Sequence, residues 1–138
     1  RTLKQAGIHD VVALEKQPGL GGTWWDNRYP GAQVDVPAPA YAFSFAPHRG
    51  WPQRFADAKD IHAYQEALAA SEGLLGHLRL GTALVSATWD APAARWRFRT
   101  AKGDTLEARY FVCSTGPLSQ PRWPDLPGLD EFQGPRLH

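Results

Sequence analysis

The chain has 138 residues, 43% of them hydrophobic, which is long and apolar enough for one small core. Fifteen basic residues stand against fourteen acidic ones, and this near-balance excludes a one-signed field that would draw the chain to nucleic acid or an anionic membrane. No apolar run approaches the roughly 18–20 residues of a membrane-spanning helix, and a single cysteine excludes an internal disulfide and fits a reducing cytoplasm.

Residues 1–7 read as the last turns of a helix, with Gly7 at the left-handed stop. The run Asp10-Val11-Val12-Ala13-Leu14-Glu15 has the look of a strand buried on both faces in a parallel sheet. From residue 16 to about 52 the chain is dense in Gly, Pro and aromatics and has no helical periodicity. A loop of that length is functional or disordered, and its aromatic content argues against disorder.

A helix is expected over 57–72, capped by Asp57 or Asp60, with Ile61, Tyr64 and Leu68 on one face and Gly73 ending it. A β insertion is expected over about 78–109. Residues 78–89 form one strand region, and 95–99 alternate so that Trp96 and Phe98 face inward and the arginines outward. Lys102-Gly103-Asp104 turns the chain into 105–108, and 109–114 reads as a final apolar strand that buries Cys113. Prolines at 117, 121, 124 and 127 then impose an extended linker. The five histidines lack metal-ligand spacing, so no metal is expected.

An acid at the tip of an apolar strand can accept hydrogen bonds from the ribose hydroxyls of a dinucleotide, and Glu15 fits that role. The matching glycine fingerprint belongs roughly 20 residues earlier, ahead of Arg1. The chain does not start with Met and contains none, and we expect it to be an internal segment of a longer protein. The plainer reading of Glu15 is an ordinary strand end. Further on, adjacent Gly21 and Gly22 would let the backbone approach a pyrophosphate closely, Thr23 adds a hydroxyl, and Trp24 and Trp25 offer flat apolar walls. The plainer reading here is a glycine-rich turn beside a buried Trp pair.

Glu15-Lys16 followed by Gly21-Gly22-Thr23-Trp24 resembles the signature that follows the second strand of the FAD domain in flavin-containing and Baeyer–Villiger monooxygenases (class B flavoprotein monooxygenases). Asn27-Arg28-Tyr29-Pro30-Gly31, Asp35, and Tyr41 with Ser44-Phe45 resemble the loop that runs along the isoalloxazine ring in the Baeyer–Villiger group. Thr115-Gly116 resembles the hinge between the FAD and NADP domains, with Ser114 in place of the usual Ala. Phe132, Gly134 and His138 match the opening of the Phe-x-Gly-x-x-x-His fingerprint. Val34 stands where many relatives carry Cys.

The resemblance implies an α/β fold: part of a Rossmann-like FAD-binding domain of a two-dinucleotide-domain flavoprotein, with an inserted antiparallel β-meander. Residues 1–116 would be the partial FAD domain and 117–138 a linker into an NADP domain. It implies FAD bound by Glu15, Lys16, Gly22, Thr23, Trp24, Asp35, Tyr41, Thr115 and Gly116. Asp35 would lie near the reactive edge of the flavin and orient an arginine from elsewhere. It further implies NADPH as reductant, and transfer of one oxygen atom from O2 to a ketone through a C4a-peroxyflavin, giving an ester or lactone. The expected partners are a small ketone and O2, without nucleic acid or a membrane span. N- or S-oxygenation by the same class of protein remains open, as does a non-catalytic aromatic-rich binding module. The last is disfavoured because the run at 11–14 calls for neighbouring parallel strands.

Overall fold

A computed structural model describes residues 1–136, so His138 of the fingerprint lies outside the described residues. Helix α1 (Thr2–Gln5) ends as its glycine predicts. Gly7 takes φ 76° and donates to Lys4 O at 3.1 Å, while Ile8 donates to Leu3 O at 2.9 Å. That pair of bonds satisfies carbonyls the helix end would otherwise leave open.

The strand expected over 10–15 is shorter and more exposed than its composition suggests. Only Ala13–Leu14 is strand (β1); it pairs in parallel with β2 (Leu78–Arg79), and Val12 is exposed. A strand becomes buried on both faces only when neighbours flank it and layers cover it, and the described residues supply a single neighbour. The expected strand region 78–89 is accordingly two elements. After β2 the chain turns through Gly81, held by Gly81 N to Gln17 O (2.8 Å) and Thr82 N to Glu15 O (2.7 Å). It then enters an antiparallel sheet of β3 (Leu84–Asp90), β4 (Arg95–Thr100) and β5 (Thr105–Ala108), in that order. The antiparallel insertion thus spans 84–108, and Leu78–Arg79 belongs to the parallel pair.

The alternation of β4 is as expected: Phe98 and Thr100 are buried, Trp96 is half-buried, and Arg95, Arg97 and Arg99 face solvent. Arg97 ties the three strands on their outer face, reaching Asp90 at 2.8 Å and Glu107 at 3.3 Å. The final strand expected at 109–114 does not form, and Cys113 is exposed rather than buried. Phe111 packs on Trp96 and Phe98 with centroids 5.5 and 5.2 Å away, but Tyr110 and Val112 are 83% and 80% exposed. One side of this apolar segment has a partner and the other has none.

Helix α3 (Ala58–Ser71) matches its predicted bounds, with Asp57 at the N-cap and Gly73 (φ 63°) beyond the C-cap. Gly73 and Leu74 donate to Ala70 and Ala69, the same stop used by α1. Asp57 makes no side-chain cap bond; its carboxylate accepts from Gln53 Nε2 at 2.8 Å instead. Ile61 is 1% exposed and forms the core with Val34, Ala38 and Ala56, flanked by Trp24, Tyr41 and Trp51.

The long segment at 16–52 is ordered around that core. It contains a short helix α2 (Thr23–Asp26) and a 3-10 turn (Ala38–Tyr41). Its 32–38 stretch is fastened to 54–58 by Val34 N to Ala56 O (3.0 Å), Ala58 N to Ala32 O (2.8 Å) and Ala38 N to Arg54 O (2.7 Å). Four-residue elements carry too little periodicity to be read from sequence. The linker expected after Gly116 is not uniformly extended: 117–120 turn and bend, 121–126 carry no regular element, and a turn at 127–128 leads into the 3-10 turn at Leu129–Glu131. Among the described residues no helix is long and apolar enough to cross a membrane.

Candidate functional site

The Gly-Gly-Thr-Trp motif is the hub of the site. Gly21 and Gly22 take φ 132° and 53°, values that suit glycine, and their carbonyls accept from Trp24 and Trp25 to start α2. The position a Cβ would take at Gly22 is open, so a ligand can reach the backbone there closely. At Gly21 the same position faces His62, with Cδ2 only 2.5 Å away. The first glycine is therefore spent on packing and the second leaves room. Thr23 O accepts from both the backbone and the side chain of Asn27 (3.0 and 2.8 Å), which closes the turn.

Trp24 carries the motif to the next group of residues. Its ring meets Tyr41 edge-on, with centroids 5.6 Å apart and planes at 79°. The Tyr41 hydroxyl in turn donates to Asp35 Oδ1 at 3.5 Å. Burial first, and then the charge and hydrogen bond of Asp35, raise the Tyr41 phenol above its ordinary value. It therefore stays a proton donor well into alkaline solution. Asp35 itself is exposed, so its second oxygen is open to a cation. Sequence reasoning named these three residues separately, and the structure joins them in one chain of contacts.

Glu15 and Lys16 contact a different set of groups. Glu15 Oε1 accepts from Gln17 N at 2.8 Å, and Lys16 Nζ donates to Ser119 O at 3.2 Å. That second bond ties the end of β1 to the segment just after Thr115-Gly116. Gly116 takes φ 69° as a turn there requires, and Thr115 Oγ1 lies 3.6 Å from Cys113 Sγ. That contact lowers the thiol's pKa. Phe132 folds its ring over Gly134 and is otherwise exposed.

Sequence reasoning missed a cleft of about 490 Å³ beside the motif, whose lining includes Trp24, Trp25, Arg28, Lys59 and His62. The Arg28 guanidinium lies 4.0 Å from the centre of the Trp25 ring and donates through Nε to Trp25 O at 2.7 Å. His62 is reached only through the fold, since it sits on α3.

No family model matches the chain. A Baeyer–Villiger monooxygenase of Streptomyces coelicolor is 46% identical over 136 residues, 99% of this chain and 26% of that protein. A phenazine N-monooxygenase of Lysobacter antibioticus is 36% identical over 132 residues, 93% of this chain and 24% of its own length. Among solved structures, an oxidized steroid monooxygenase bound to NADP superposes with a TM-score of 0.82 at 38% identity, over 96% of this chain and 26% of that one. OTEMO in complex with FAD and NADP superposes at 0.83 with 30% identity and the same coverage. The chain thus spans about a quarter of the length of the proteins it matches. In sequence and in fold it is a homologue of that quarter of the Baeyer–Villiger monooxygenases and related flavin monooxygenases.

Proposed function

We propose that this chain serves as the flavin-side part of a longer, cytoplasmic FAD- and NADPH-dependent monooxygenase that inserts one oxygen atom from O2 into a ketone. The observation that carries this reading is the linked set Gly22–Trp24–Tyr41–Asp35, which joins an open glycine backbone, an aromatic wall and an exposed carboxylate. The similarity to a steroid monooxygenase bound to NADP, and to a structure holding FAD and NADP, supports the same reading.

In this reading residues 1–116 are part of a Rossmann-type FAD-binding domain, and 117–138 lead toward an NADP-binding domain. β1 and β2 would be the inner strands of its parallel sheet, and β3–β5 the inserted meander. The residues present fit a flavin dinucleotide. Gly22 exposes backbone for a pyrophosphate, and Trp24 offers a flat face. Glu15 would take the ribose hydroxyls, with Lys16, Thr23, Thr115 and Gly116 along the same path. Bound FAD would supply the oxygen-activating redox chemistry, and the protein supplies position and water exclusion.

The chain's own contribution is orientation. Tyr41 holds one oxygen of Asp35, leaving the other to fix an arginine from another part of the protein. Trp24 holds Tyr41 in turn. The fingerprint residues Phe132, Gly134 and His138 would lie at the approach to the NADP domain. N-oxygenation remains the second reading, favoured by the similarity to phenazine N-monooxygenase.

The test is to purify the native full-length polypeptide and titrate it with FAD, NADPH, and a panel of cyclic ketones and aromatic amines. Stoichiometric FAD and ketone-dependent NADPH oxidation with a lactone product are expected. An amine N-oxide as the only product would favour the second reading. Failure to hold FAD would remove both.

A further inference from the structure

From α3, His62 reaches across to the glycine motif and touches it at three points. Its Nε2 lies 2.8 Å from Leu20 O, and since a carbonyl only accepts, that nitrogen carries the proton. Its ring edge fills the space beside Gly21 that a Cβ would need. Its ring also lies against Trp25, with centroids 5.7 Å apart and planes tilted by 57°. On the far side Nδ1 lies 3.7 Å from Glu66 Oε2, an ion pair whenever the ring is charged. The imidazole is 20% exposed, so the Leu20 bond is largely shielded from water. Leu20 and His62 are 42 residues apart, and this is the one side-chain bond the described residues show from α3 to the motif.

We propose that His62 is a positioning residue for the flavin-binding turn, holding Leu20 and Gly21 from beneath so that Gly22 keeps its open side toward the cofactor. This rests on the flavin reading above. The reasoning is mechanical. Gly21 at φ 132° and Gly22 at φ 53° are soft positions with many alternative conformations. A turn built on them holds one geometry only if something outside it fixes the backbone. A donor aimed at the carbonyl just before the glycine pair, on a rigid 14-residue helix, does this. Removing it leaves a shielded carbonyl without its partner and frees the turn.

The experiment compares His62→Leu, His62→Gln and His62→Asn in the full-length holoenzyme, reading FAD dissociation constant, visible flavin spectrum, and the fraction of NADPH oxidised without product. Leu keeps volume but has no donor, and a roughly tenfold weaker FAD affinity with increased uncoupling is expected. Gln can reach Leu20 O with an amide N–H and should restore affinity to within about twofold, a factor small against that loss. Asn is too short and should resemble Leu.

The ordering Gln above Asn in FAD affinity carries the test even if the Leu variant does not fold, provided the two variants melt at the same temperature, because a histidine that only stabilises the fold would lower melting temperature and affinity together. Equal affinity and spectra in all three variants would overturn the inference. A wild-type protein that holds no FAD would instead overturn the flavin reading on which it rests.

Discussion

Tyr41 and Asp35 lie six residues apart, and the tyrosine hydroxyl donates to the carboxylate at 3.5 Å. The folded Tyr41 phenol is raised above its ordinary value by burial and by the adjacent carboxylate. Above the ordinary phenol pKa the unfolded chain loses this proton before the folded one does. Any stability linked to Tyr41 is therefore intact at neutral pH and falls as pH rises through the window above that value. Asp35→Asn removes the charge but not the burial. It should move the phenol's ionisation part of the way back down, measured as phenolate absorbance against a Tyr41→Phe blank. An unchanged midpoint would show that the contact carries no charge coupling. Both residues were legible in the sequence as motif members, but the bond between them was not, because it depends on the 3-10 turn at Ala38–Tyr41.

At the scale of elements, α3 is the best-determined piece and the one on which the site leans. Its bounds were readable from Asp57, the spacing of Ile61, Tyr64 and Leu68, and Gly73. Gly73→Ala places a Cβ on a residue at φ 63° and should cost about 1–2 kcal/mol, seen as a lowered melting temperature. Ile61→Ala hollows the small core of Val34, Ala38 and Ala56, and about 2–3 kcal/mol of destabilisation is expected. Because Trp24 and Tyr41 border that core, the same variant should weaken FAD binding, whereas Gly73→Ala at the far end should not. The two short elements that shape the site, α2 and the 3-10 turn, were hidden. Neither is long enough to repeat an apolar face, and both are held by the glycine and proline geometry around them.

Taken whole, the molecule exposes far more surface than its mass warrants. Its accessible area is 10638 Å², against about 7,100 Å² for a compact monomer of 15.3 kDa. The excess includes Val12, Tyr110 and Val112, in segments whose composition calls for burial. The isolated 138-residue chain should therefore bind a hydrophobic dye strongly, aggregate with concentration, and be colourless without NADPH oxidation. A stable, dye-silent yellow protein would contradict this.

The sequence by itself determined what depends on neighbours a few residues away. The glycine stops of α1 and α3, the period-two face of β4, and the order of the motif residues all follow from local backbone sterics and spacing. Only the tertiary structure decided the rest: the fastening of 32–38 onto 54–58, the Trp24–Tyr41–Asp35 chain, and His62 beneath Gly21. It also decided that 10–15 and 109–114 stay largely outside a sheet. Apolar composition supplies a drive toward burial, but whether a segment is buried depends on which distant surfaces meet it.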